Sequence, residues 1–244
     1  MVRIEISGRI DYPEFMEPDN KILKTNQSVT GPLQSQGHTQ PRPSTEARKT
    51  SGTRDGKVEL ENLEIRPFTR KSPEIEEVFR LYEDSFPKYE RKPFEMVLSG
   101  QEEGKMETYS VFVQGQYGAL VFVIPGAKVD VLDYLAIAPA LRGSGIGSKI
   151  LNWLTSKRSK PFIVEIESTL SNSDQTRERR KSFYLTNGMH DCHEIIQLFG
   201  VEMELLSSRR PVTFDEYFQT MKNYFGKSAS FWIHHEIRQV SQKN

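Results

Sequence analysis

Between residues 58 and 206 the period of the apolar positions changes repeatedly, and each change marks an element. Leu63 and Ile65 alternate with Glu64 and Arg66 and run into Pro67, the pattern of a strand ended by proline. Ile75, Val78, Phe79, Tyr82 and Phe86 then recur at helical spacing, with Ser72 as N-cap, Pro73 at the first helical position and Pro87 as the stop. A short helix is expected over residues 94–98. Residues 107–113 and 117–124 alternate around Gln114-Gly115-Gln116, which predicts an antiparallel hairpin. Residues 129–137 form the next strand. Ile146, Ile150, Leu151 and Leu154 return to helical spacing, and residues 159–161 end that helix. The strand over residues 162–167 has Phe162, Val164 and Ile166 on one face and Ile163, Glu165 and Glu167 on the other. A helix over residues 176–186 stops at Asn187-Gly188, and strands at 192–198 and 201–206 meet at Phe199-Gly200.

The flanks read differently. Val2, Ile4 and Ile6 suggest a short strand, but residues 17–57 are polar, rich in Gly, Pro, Ser, Thr and Gln. Such a segment buries too little apolar surface to offset its ordering entropy, so residues 1–57 are expected to be a largely disordered tail. After residue 206, Thr213 and Glu216 make a capping box, and Phe214, Tyr217, Phe218, Met221 and Phe225 share a helix face that Gly226 ends. Residues 207–244 are therefore expected to be a helical extension, packed on the domain or at a dimer contact, with one further strand at Phe231-Trp232-Ile233.

Composition narrows the class. The 33 acidic and 33 basic residues cancel, so no overall field draws the chain to nucleic acid or to a membrane surface. One cysteine permits no internal disulfide, and no run approaches the ~20 apolar residues of a membrane span. No signal-peptide core is present at the N-terminus. A cytoplasmic protein, monomer or homodimer, is expected.

The chemistry gathers at residues 134–154. A strand ends at Ala138-Pro139, and Arg142, Gly143, Gly145 and Gly147 lead into the apolar-faced helix. Strand, glycine loop and helix N-terminus together suit an anion, because glycine lets backbone N–H groups approach it and the first helical turn carries unpaired donors. The spacing fits neither G-x-x-x-x-G-K-[ST] nor G-x-G-x-x-G. Arg142-Gly143-Ser144-Gly145-Ile146-Gly147 instead resembles the R/Q-x-x-G-x-G/A signature of the GNAT-superfamily acetyltransferases. The L-x-I-x-P before it and Phe183-Tyr184-Leu185-Thr186-Asn187-Gly188-Met189 further on are similar to other hallmarks of that family.

This resemblance, over roughly residues 60–206, implies an α+β fold. Its sheet of six or seven mostly antiparallel strands, flanked by helices, would be splayed after residues 134–137, with acetyl-CoA as co-substrate in the opening. Leu135, Ala136 and Ile137 would pair with the pantetheine arm, and Arg142, Gly143, Ser144, Gly145, Ile146, Gly147 and Ser148 would hold the pyrophosphate. Tyr184 would protonate the departing thiolate. For the base, Glu165 and Glu167 share a strand face beside the splay, with Glu90 as a rival. Phe86, Glu90 and Arg91 resemble an F-P-x-x-E-R pattern that would line the acceptor site. Where many members carry a CoA-contacting asparagine, this chain has Arg177.

No metal is expected. His190, Cys192 and His193 lack a complementary ligand pair elsewhere. The expected activity is transfer of an acetyl group to the primary amine of a small molecule by direct attack. A protein or peptide acceptor, or an idle acyl-CoA-binding sensor, are the alternatives.

Overall fold

A computed structural model describes residues 63–88, 91–170 and 174–236. The expected tail over residues 1–57, including the strand proposed near Val2, lies outside them. Eight strands form one sheet: β1 (Leu63–Pro67), β2 (Glu107–Val113), β3 (Gln116–Ile124), β4 (Asp130–Ile137), β5 (Phe162–Glu167), β6 (His190–Leu198), β7 (Val201–Ser207) and β8 (Ile233–His235). Their order is β1-β2-β3-β4-β5-β7-β6-β8, and all neighbours are antiparallel except β4 and β5.

Eight strands correct the expected six or seven. The extra one is β8, two residues later than the expected strand, because residues 229–232 close one helical turn first. Ile233–His235 then pairs with the outer half of β6, at Ile196, Gln197 and Leu198, and covers an edge that would otherwise expose unpaired backbone.

Helices α1 (Ile75–Ser85), α2 (Phe94–Glu102), α3 (Ile146–Lys157), α4 (Gln175–Thr186), α5 (Phe214–Phe225) and the single turn α6 (Ala229–Trp232) complete the fold. Two boundaries differ from expectation for local reasons. Ser72 does not cap α1; its hydroxyl accepts from the Thr69 N–H at 2.9 Å and closes the preceding turn, so the helix starts at Ile75. Asp174 caps α4, accepting from the Thr176 and Arg177 amides, which adds Gln175 to the helix. The capping box at Thr213 and Glu216 is present on α5, and Gly226 ends it at φ +66°.

The sheet separates two cores. Helices α1, α2 and α5 pack on one face through Val78, Tyr82, Val97, Tyr217 and Met221. Helices α3 and α4 cover the other through Ile146, Ile150, Leu151, Leu154 and Tyr184. The four α3 side chains are at most 1% exposed. Each such burial contributes roughly 1.5–3 kcal/mol, which holds the helix N-terminus at a fixed height above the sheet. Strand β5 alternates as its sequence requires, with Phe162, Val164 and Ile166 in the α3/α4 core and Ile163 in the other.

Candidate active site

The site begins where β4 and β5 part. These strands pair only at Asp130–Phe162 and Val131–Ile163. Beyond that, β4 continues to Ile137 with β3 alone beside it, and β5 continues to Glu167 with β7 alone. The vertex is clamped by charge. Asp130 is fully buried and takes Arg158 at 2.5 Å, Lys160 at 3.0 Å and the Gly126 amide at 3.0 Å. Above the vertex the register of β4 on β3 slips, Phe122 facing Tyr134 and Val123 facing Leu132, so Asp133 is an extra residue. A bulge of this kind bends its strand and redirects a side chain. It turns β4 away from β5 and leaves the backbone groups of residues 132–137 without a β5 partner, the arrangement that an amide-bearing chain laid in the gap would satisfy.

The glycine loop closes the rim of this opening. Ala138 donates to the Gly118 carbonyl at 2.8 Å, residues 139–141 make one tight turn, and Ser144 Oγ donates to the Leu141 carbonyl at 2.6 Å. Arg142 Nε donates to the Ile137 carbonyl at 3.0 Å, so its guanidinium ties the loop to the end of β4. Gly143 and Gly145 stand at φ +77° and +88°, where a Cβ is strained. Helix α3 has no side-chain cap, which leaves its first-turn N–H groups and the positive end of its dipole facing the loop. A Cβ on Gly147 would sit 3.0 Å from Phe183 Cζ. The two sequence hallmarks thus touch each other, glycine loop against α4.

On α4, Tyr184 is 1% exposed, and burial pushes its hydroxyl up to about 12, with Arg180 opposing. It stays a proton donor across the physiological range. Asn187 Nδ2 and the Met189 amide bond to the Phe183 and Tyr184 carbonyls at 2.7 and 3.1 Å, so the Asn-Gly pair ends the helix immediately after the tyrosine. Arg177, in the position of the family asparagine, pairs with buried Glu167 at 2.5 Å and with Asp174 at 3.7 Å. Lys181 pairs with Asp191 and Glu204. These two basic residues of α4 are engaged by carboxylates of the fold.

The two carboxylates expected to compete as base are therefore unlike. Glu167 is 2% exposed and ion-paired. Glu165, on the same strand face, is half-buried, and Tyr217 of α5 donates to its Oε1 at 2.5 Å. Burial raises its carboxyl to about 7; Tyr217 lowers it, Asp133 raises it and Lys92 lowers it. The Lys92 ammonium is held by both Asp133 oxygens at 2.7 and 2.8 Å and faces the rings of Tyr134, Tyr224 and Phe225 at 5.1–5.5 Å. A carboxyl near 7 is suited to taking a proton at neutral pH.

Asp133, Lys92 and Tyr217 were not legible as site residues. Asp133 left one trace, a charge inside the apolar run of residues 129–137. In the loop after α1, Phe86 is buried in the core at 3% exposure. Arg91 donates to the Glu83 and Phe86 carbonyls at 3.0 Å and to the Glu83 carboxylate, so it closes the end of α1. Glu90 lies outside the described residues. A surface cleft of about 400 Å³, lined by Tyr109, Trp153, Lys157 and Arg158, sits at the far end of α3, away from the splay.

No protein-family model and no curated protein sequence matches the chain. Solved structures do. A protein from Bacteroides thetaiotaomicron assigned to the GNAT-family acetyltransferases superposes with a TM-score of 0.54 at 18% identity, over 66% of this chain and 94% of that one. A GNAT family acetyltransferase from Elizabethkingia anophelis with acetyl-CoA bound gives 0.44 at 16% identity, covering 61% and 98%. The aminoglycoside 6'-N-acetyltransferase from Enterococcus faecium gives 0.47 at 17%, covering 61% and 99%. The first of these, together with the strand order and the splay, shows that the chain has the GNAT fold.

Proposed function

We propose that this chain, folded as the GNAT acetyltransferases are, is an N-acetyltransferase that moves an acetyl group from acetyl-CoA to the primary amine of a small molecule. The observation that carries this reading is the parting of β4 from β5 directly below an uncapped, glycine-lined helix N-terminus. The unpaired edge of β4 suits the amide-bearing pantetheine arm, and the loop suits a pyrophosphate. Leu135, Ala136 and Ile137 supply the backbone groups for the first; residues 142–148 supply the second. When bound, acetyl-CoA contributes an activated thioester.

The residues then divide the work. Glu165, through water, takes the proton that makes the acceptor amine neutral. A β4 amide meets the negative charge growing on the acetyl oxygen. As the new C–N bond forms and the C–S bond breaks, Tyr184 donates its proton toward the departing sulfur, and the proton that the acylated nitrogen loses returns, through water, to the tyrosine. Lys92 and Asp133 border the acceptor side next to Glu165. Helix α5 covers one end of that side, which favours a small acceptor over a peptide threaded through an open groove.

Thiol release from acetyl-CoA by the purified full chain, across a panel of primary amines and lysine peptides, tests the reading. Turnover with small amines supports it. Turnover with peptides alone moves the acceptor class, tight binding of acetyl-CoA without any turnover favours a sensor, and no binding overturns both.

A further inference from the structure

Helix α5 lies beyond both sequence motifs, yet its packing brings one hydroxyl onto the proposed base. The helix is seated hard on the sheet. Thr220 Oγ1 donates to the Val129 carbonyl at 2.8 Å, Met221 is 1% exposed, and a Cβ added to Gly126 would lie 2.1 Å from Thr220 Oγ1. One turn earlier Tyr217 is fully buried, with its hydroxyl 2.5 Å from Glu165 Oε1. Phenylalanine serves the apolar face of this helix at 214, 218 and 225, whereas the phenol at 217 places its O–H on a carboxylate, the pairing a buried hydroxyl favours. The charged and titratable groups that face Glu165 come from three elements: Tyr217 from α5, Asp133 from β4 and Lys92 from the segment before α2. Its neighbour across on β7 is the apolar Leu205. Lys92 is already held by Asp133 through both oxygens, so Tyr217 is the group hydrogen-bonded to Glu165 itself.

We infer that Tyr217 is a positioning residue that holds the Glu165 carboxylate by one oxygen, making the C-terminal extension part of the acyl-transfer site. This rests on the reading of Glu165 as base given above. A phenol that donates to a carboxylate stabilises its ionised form, so removing the hydroxyl makes Glu165 harder to ionise.

The test is Tyr217→Phe in the full chain, with the Glu165 carboxyl carbon followed by NMR titration. The midpoint is expected to rise by about one pH unit, since a hydrogen bond to an ionised group is worth at least that much. The pH profile of kcat/KM should shift upward equally, an about tenfold loss below the midpoint, with acetyl-CoA affinity unchanged. In the wild type the Tyr217 Cζ resonance should titrate with the Glu165 midpoint, a readout that needs no variant. An unmoved midpoint together with a Tyr217 resonance that ignores Glu165 overturns the inference, as does a fall in thermal stability with an unmoved pH profile. If no amine is turned over, the acyl-transfer reading fails while the titrations still decide the role of Tyr217.

Discussion

Two positions on one face of β5 solve different problems with the same residue type. On its outer half Glu165 and Glu167 are two positions apart and begin from the same chemistry. Glu167 meets Arg177 of α4 in a buried ion pair. Glu165 meets a phenol, a second carboxylate and a lysine already committed elsewhere. The first environment holds a charge in place; the second leaves a proton undecided near neutral pH. Position on a strand selects neither fate. The elements packed against it do, α4 for one carboxylate and α5 for the other.

The sharpest way to break this contrast is to neutralise each carboxylate in turn. Glu165→Gln is expected to lower kcat/KM by about 10²–10⁴-fold, the usual contribution of general-base catalysis, with acetyl-CoA affinity kept. Glu167→Gln should act on the fold instead. It removes the closest carboxylate from buried Arg177, which keeps the more exposed Asp174 at 3.7 Å, a loss of about 3 kcal/mol, the low end for a broken buried pair, in denaturant unfolding. Equal effects of the two on turnover, at equal stability, would erase the distinction. Tyr184→Phe is expected to cost roughly 10²-fold in kcat, at the low end for a general acid, with little change in KM.

A further effect is in stability against pH. Glu165 sits at about 7 in the fold against an ordinary 4.5. Between those values the folded chain keeps a proton that the unfolded chain has released, so stability falls as pH rises through the window. The expected loss is up to roughly 3 kcal/mol in wild type relative to Glu165→Gln, read from paired denaturant melts at pH 4.5 and 7.5. A difference of the opposite sign would mean that Glu165 is held ionised.

Much of the architecture was legible because local rules acted alone. Alternation marked β2, β3 and β5, helical spacing marked α1, α3 and α5, and Gly188 and Gly226 marked helix ends. The cofactor side of the proposed site was legible for the same reason, since its device is a contiguous loop. The proposed acceptor side draws on Lys92, Asp133, Glu165 and Tyr217, which lie on four separate segments. No spacing rule joins them. A register slip of one residue in β4 brings Asp133 in, and the packing of α5 brings Tyr217 in. Arg91 and Phe86 looked like acceptor contacts by pattern, and the structure spends the first on the carbonyls of α1 and the second on the core.

On this reading acetyl-CoA lies in the gap between β4 and β5. Backbone amide shifts of the full chain, recorded with and without acetyl-CoA, test it most directly. Large changes are expected at residues 132–137 and 143–148, with β1 and β2 unmoved. Changes confined to the cleft around Tyr109 and Trp153, or none at saturating acetyl-CoA, would contradict it.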